Sequence, residues 1–230
     1  MKTIVLIVLS FCSACMPGQE NARADFKKIN ETFAGTSLFS MDIKYELFLD
    51  GSSTAYETES GKYIKDHKKY YSMQSGNEIV ITASCMYVID KERKVLAADK
   101  KIDERKLEDP LSQNLDSLFV LYSKIEVINT GSPSVKAYRF YIKEGPYSIC
   151  EVYFNAKTNF VTEIRNVFRN KISDENDKER SAVLRTTFYN INLKPSLQNM
   201  FDDGKYIKKV NGAYVPGESY KSYRLINHLK

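Results

Sequence analysis

The stretch Met41-Asp42-Ile43-Lys44-Tyr45-Glu46-Leu47-Phe48-Leu49-Asp50-Gly51 alternates apolar and polar side chains and then stops at Asp-Gly. Side chains of an extended chain point to opposite faces in turn. Met41, Ile43, Tyr45, Leu47 and Leu49 therefore line one face, and Asp42, Lys44, Glu46 and Phe48 the other. One face of this strand is built for burial, and Asp50-Gly51 is a hairpin turn signal. Only Phe48 breaks the pattern, by setting an aromatic ring among the charges.

Working outward, a polar run over residues 52–65 contains Tyr56, Gly61, Tyr63 and Ile64. Short strand patterns follow at 70–73, 78–82, 86–90 and 94–98, separated by polar turns, which is the signature of an antiparallel meander. The second half repeats the theme: Tyr138, Phe140 and Ile142 alternate, then Cys150, Val152 and Phe154, then Phe160, Thr162 and Ile164, then Leu184, Thr186 and Phe188. The charged run 173–179 reads as a solvated hairpin tip, and Asn211-Gly212 joins a further hairpin. Two helices interrupt the strands. Phe26, Ile29 and Phe33 recur at helical spacing over 23–34, with Gly35 as the stop. Asp109-Pro110 starts a second helix, with Leu111, Leu115, Leu118, Phe119 and Tyr122 on one stripe. No linker or repeat divides the chain. The expected fold is α+β: a strongly curved antiparallel sheet with short helices covering its concave face.

The N-terminus carries an address. Lys2 precedes an apolar run at 4–11, too short for a membrane span but the length of a signal-peptide core. Ser13-Ala14-Cys15 has the small residues of a lipobox before a cysteine, although Cys12 stands where Leu is usual. The expectation is lipidation at Cys15, with residues 16–21 as a polar tether. Cleavage after Ala22-Arg23-Ala24, freeing a soluble protein, stays open. Residues 1–24 are assigned to signal peptide and tether, and 25–230 to one domain.

Chemistry is sparse. Hydrophobic residues are 43% and charged ones 27% of the 230, a globular profile, and a net charge of +5 is too mild for a nucleic-acid binder. The two histidines, His67 and His228, sit in a charged turn and near the C-terminus, with no nucleophile pattern beside them. No catalytic residue, metal site or cofactor is expected. Asp174, Asn176 and Asp177 lack the glycine and terminal Glu of a calcium loop. Glu57 with Glu59 and Asp202 with Asp203 are carboxylate pairs without supporting features. Cys85 and Cys150 read equally as a disulfide or as two buried thiols. The 16 Tyr and 12 Phe are the unusual supply. Met41, Ile43, Tyr45 and Leu47 on the strand, with Leu115 and Phe119 on the second helix, are the candidate lining of an apolar ligand cavity.

The segments Phe26-x-x-Ile29-x-x-x-Phe33, Ser40-Met-Asp-Ile-Lys-Tyr-Glu-Leu-Phe48, Gly61-Lys-Tyr-Ile-Lys65 and Met86-Tyr-Val-Ile-Asp90, followed by the helix 111–122, resemble the lipoprotein carrier and receptor family, LolA/LolB-like. That resemblance implies a half-barrel closed by helices, holding lipid or lipoprotein acyl chains without covalent chemistry. It implies a protein of the bacterial cell envelope, periplasmic and, through Cys15, anchored to a membrane. The chain departs from the family in having no Trp, and Cys15 fits the anchored receptor better than a soluble carrier. The competing expectation is a protein-interaction or sensor scaffold of the same fold with a filled interior.

Overall fold

The computed structural model describes residues 17–100 and 121–229, with side chains from residue 21 onward. The alternating strand β1 (Leu38–Leu49) lies near the middle of a twelve-stranded sheet. On one side of it β2 (Glu57–Asp66), β3 (Lys69–Gln74), β4 (Asn77–Ile81), β5 (Cys85–Asp90) and β6 (Val95–Lys100) meander outward. On its other side lie, in spatial order, β13 (Ala182–Asn192), β10 (Val161–Phe168), β9 (Tyr147–Asn155), β8 (Val135–Ile142) and β7 (Tyr122–Ile128). These pairings are antiparallel. A twelfth strand, β16 (Arg224–Asn227), runs parallel to β6 at the edge. The sheet is curved and open, ending at β16 and β7 without closing into a barrel.

Two small hairpins complete the strands. β11 (Ile172–Ser173) and β12 (Glu179–Arg180) form the tip between β10 and β13, where the charge run was expected to turn. β14 (Ile207–Val210) and β15 (Ala213–Pro216) flank Asn211 (φ 52°) and Gly212 (φ 84°), both left-handed, as a two-residue hairpin turn demands.

Helix α1 (Pro17–Gly35) lays Ala22, Phe26, Ile29 and Phe33 on one face of the sheet, a 4-3-4 spacing that keeps one stripe inward. Beneath it pack Phe39, Met41, Ile43, Tyr63, Phe140, Phe154 and Phe188, among others. The helix starts at Pro17 rather than 23, and Ala22 is fully buried. Proline at the first position suits this start, because its missing N–H has no helical partner there.

The other face of the β2–β6 meander has its own core. Ile64, Tyr71, Val80, Tyr87, Ile89 and Leu96 are covered there by the chain after residue 195. Tyr206 and Tyr220 are buried in it, and the rings of Tyr87, Tyr206 and Tyr220 stack at 4.6 and 5.6 Å between successive centroids. The short helix α2 (Asp203–Tyr206) locks this segment down: Asp203 accepts hydrogen bonds from Thr82 (2.6 Å), Ser84 and Tyr87 (2.9 Å).

Two expectations are corrected by this arrangement. The protein is mainly β rather than α+β, and among the described residues α1 is the one long helix on a sheet face. An irregular C-terminal segment covers the face opposite α1. Tyr122, read as the last residue of the second helix, opens strand β7. The remainder of that helix, with Leu115 and Phe119, lies outside the described residues, as does Cys15.

Candidate functional site

The face carrying α1 is where the apolar alternation of β1 points. The helix is pinned there near its middle and at its C-terminal end. Asp25, buried in its first half, accepts from Lys136 (2.9 and 3.1 Å) and from the Tyr138 hydroxyl (2.8 Å), both on β8. Burial, reinforced by the Asp25 carboxylate, pushes the Tyr138 phenol well above its ordinary range. At the C-terminal end the buried Lys65 of β2 donates to the carbonyls of Phe33 (2.6 Å) and Ala34 (3.5 Å). α1 has no basic residue in its own last turn, so this ammonium complements the helix C-terminus from another strand.

Register decides how the face continues beyond the helix. Phe188, Ile43 and Gly61 form one row across β13, β1 and β2. The next is Tyr138, Val152, Ile164, Thr186 and Tyr45. The third is Ile125, Phe140, Cys150, Asn166, Leu184 and Leu47. Met41 and Ile43 are buried in the packed cluster under α1, whereas Tyr45 sits at its rim and Leu47 one row further out, half-buried. Of the expected lining, Tyr45 and Leu47 thus share these rows with residues that the sequence placed on strands but not in the lining, Ile164, Leu184 and Cys150, with Tyr122 on the far strand β7.

This outer shelf is mainly apolar and half-buried. Burial raises the Tyr45 phenol, with Glu59 adding to it, and raises that of Tyr122, with Cys150 adding. The Cys150 thiol is pushed up to about 12, chiefly by burial and then by the Glu151 carboxylate. Gly61 makes room for it: a Cβ there would lie 2.9 Å from the Met73 carbonyl and 3.2 Å from the Tyr45 ring. The tyrosine occupies the space a side chain would need.

On the reverse face of the same strands the row is ionic. Glu46, Arg185, Arg165, Glu151, Arg139 and Glu126 follow one another across β1, β13, β10, β9, β8 and β7. Arg185 bonds Glu46 at 2.8–3.0 Å and lies over the Phe48 ring at 4.6 Å, which accounts for the aromatic among the charges of β1. Arg139 bonds Glu151 at 2.6–2.8 Å. Arg165 bonds Glu163, and Glu126 takes Lys124 and the Tyr141 hydroxyl, so the charges of the row are met by one another or by neighbours and form a framework rather than a receptor.

The other sequence candidates resolve into structure. Cys85 belongs to the core opposite α1 and Cys150 to the core beneath it, so the sheet separates them and both are free thiols. Asp174 accepts from the amides of Asn176 and Lys178 and from Arg180. Arg180 also bonds Asp50, at the edge of an open cleft of about 450 Å³ lined in addition by Leu49, Thr54 and Tyr56. Asp202 caps α2 and Asp203 serves the Thr82–Tyr87 contacts, so that pair does not share a site.

No family model matches the sequence, and no curated protein matches it. Among solved structures the chain is similar to an uncharacterized conserved protein from Thermus thermophilus, with a TM-score of 0.47, 8% identity, and coverage of 90% of this chain and 99% of that one. It is similar to MucB in the Pseudomonas aeruginosa MucA/MucB complex (TM-score 0.41, 10% identity), where 76% of this chain spans 61% of the other. It is also similar to a LolA superfamily protein from Nitrosomonas europaea (TM-score 0.33, 10% identity, 78% of this chain and 96% of that one). At these scores the likeness concerns the general run of the strands and says nothing of ligands.

Proposed function

We propose that this chain is an exported cell-envelope protein, held at a membrane through Cys15, that binds lipid or lipoprotein acyl chains without covalent chemistry. The supporting observation is the shelf beside α1, where Tyr45, Leu47, Ile164, Leu184, Cys150 and Tyr122 extend the apolar face past the helix. Each methylene of an acyl chain laid on the shelf gains about 0.8 kcal/mol, so affinity needs no charged contact.

In this reading the ligand lies over Tyr45 and Leu47 with Met41 and Ile43 beneath, and Leu115 and Phe119 are the contacts proposed for the second helix. The test is titration of a fluorescent fatty acid, with native mass spectrometry of protein mixed with extracted lipid. Saturable binding that is lost in Leu184→Arg but kept in a surface control such as Lys143→Gln is the expected result. No saturable binding to the wild type would leave the filled scaffold as the reading. Anchoring is tested separately: Cys15→Ser should move the protein out of the membrane fraction.

A further inference from the structure

We infer that the β14–β15 hairpin is a membrane-contacting element that docks on an anionic phospholipid surface, independently of any ligand on the α1 face. Among the described residues, three of the ten exposed large apolar side chains fall within six positions: Val210 (49% exposed), Tyr214 (37%) and Val215 (36%). They sit on a ribbon of only two strands, hydrogen-bonded to no larger sheet. Such a ribbon is marginal by itself in water. β-branched residues suit any strand, and lysines commonly protect an exposed edge. Neither habit explains apolar groups on both faces.

The register sets Lys208 opposite Val215, Lys209 opposite Tyr214, and Val210 opposite Ala213 at the tip. One face thus carries Lys208, Val210, Ala213 and Val215; the other carries Lys209 and Tyr214, with the Lys209 ammonium 5.7 Å from the ring centre. Lys205 stands just below the root. No carboxylate among the described residues pairs with Lys208 or Lys209. The nearby acids are engaged: Asp202 caps α2, Asp203 bonds Thr82 and Tyr87, and Glu218 pairs with Lys221.

The root is firm. Ile207 is buried, the Gly217 amide donates to the Tyr206 carbonyl at 2.6 Å, and a Cβ at Gly217 would fall 2.2 Å from the Lys205 carbonyl. A fixed stalk, an apolar tip, a tyrosine and flexible lysines form the combination an interface selects. The aliphatic groups enter the acyl boundary, the phenol stays at headgroup level, and the ammonium groups reach the phosphates. The cationic charge commits the hairpin to anionic lipid rather than to a neutral surface.

The chain has no Trp, so Tyr214→Trp supplies a single local reporter in the full protein, whatever its N-terminus does. The probe is a vesicle of phosphatidylcholine with or without phosphatidylglycerol, with brominated phosphatidylcholine as the quencher. The expected result is a blue shift and bromolipid quenching with phosphatidylglycerol present. Partitioning should weaken roughly thirtyfold in Lys208→Gln/Lys209→Gln on the same background, and high salt should reverse the shift. Circular dichroism confirms that each variant is folded, and Val210→Gln/Val215→Gln gives a second, charge-neutral variant. Emission unmoved on either vesicle overturns the inference. So does a shift that needs an added protein fraction, which would assign the hairpin to a protein partner. Fatty-acid binding on the α1 face should be unchanged by Tyr214→Trp, so failure here is separable from failure of the ligand reading.

Discussion

The ammonium of Lys65, on β2, donates a 2.6 Å hydrogen bond to the main-chain carbonyl of Phe33 in the last turn of α1. A residue 32 positions away thus closes the helix, in a buried setting where an unpaired carbonyl is costly. Lys65→Met keeps the aliphatic stem and deletes the donor. It should lower stability by about 1–3 kcal/mol. Urea midpoints measure this, and faster amide exchange at the C-terminal turn of α1 would localise it. An unchanged midpoint would mean that the contact holds nothing.

The middle of the helix offers a coupling test. Asp25 and Tyr138 share a 2.8 Å hydrogen bond with little access to water. In a double-mutant cycle, Asp25→Asn and Tyr138→Phe should show a coupling of about 1–2 kcal/mol. Additive effects would refute the link between helix and β8.

Gly61→Ala should destabilise by about 1–3 kcal/mol, because the new methyl meets the Met73 carbonyl at 2.9 Å and must displace the Tyr45 ring. Should Tyr45 also form the floor of an acyl site, fatty-acid affinity should fall in the folded variant. Thermal unfolding and the titration together separate the two effects.

Glu46 is held below the ordinary carboxylate value of 4.5, first by its hydrogen bond from Lys44 and then by Arg185, against the opposing effect of burial. A carboxyl depressed on folding adds stability above its unfolded pKa, and loses it as pH falls through the folded one. Glu46→Gln should therefore cost about 1–3 kcal/mol at pH 7, the gap closing below about pH 4.5. A gap that does not narrow at all as the pH falls below about 4.5 would assign the effect to packing rather than charge.

Cys150, with its thiol raised to about 12, should resist an aromatic disulfide reagent at pH 8 until the protein unfolds. Rapid labelling in the native state would expose the shelf to water. A Cys85–Cys150 bond found by mass spectrometry after mild oxidation would contradict their placement on opposite faces.

Local periodicity alone determined the strands and their inward faces. Met41, Ile43, Tyr45 and Leu47 do share one side of β1, the turns at Asp50-Gly51, Ser75-Gly76 and Asn211-Gly212 adopt left-handed backbone, and Phe26, Ile29 and Phe33 do form the buried stripe of a helix. Tyr122 misled because it falls at helical spacing after Leu115, Leu118 and Phe119, while a register shift between Tyr122 and Lys124 breaks the period of two that would mark β7. β16 is four residues long, too short for any period to show.

Pairing and coverage were beyond such patterns. That β1 lies against β13 rather than closing its own meander follows from contacts about 140 residues apart, as between Glu46 and Arg185. Only the tertiary structure decided that α1 takes one face and the C-terminal segment the other, which buries Met41 and Ile43 and leaves Tyr45, Leu47 and Leu184 half-buried in the rows beyond them. The physical reason is that alternation fixes which side chains share a face, whereas the occupant of that face is chosen by competition among all apolar surfaces of the chain.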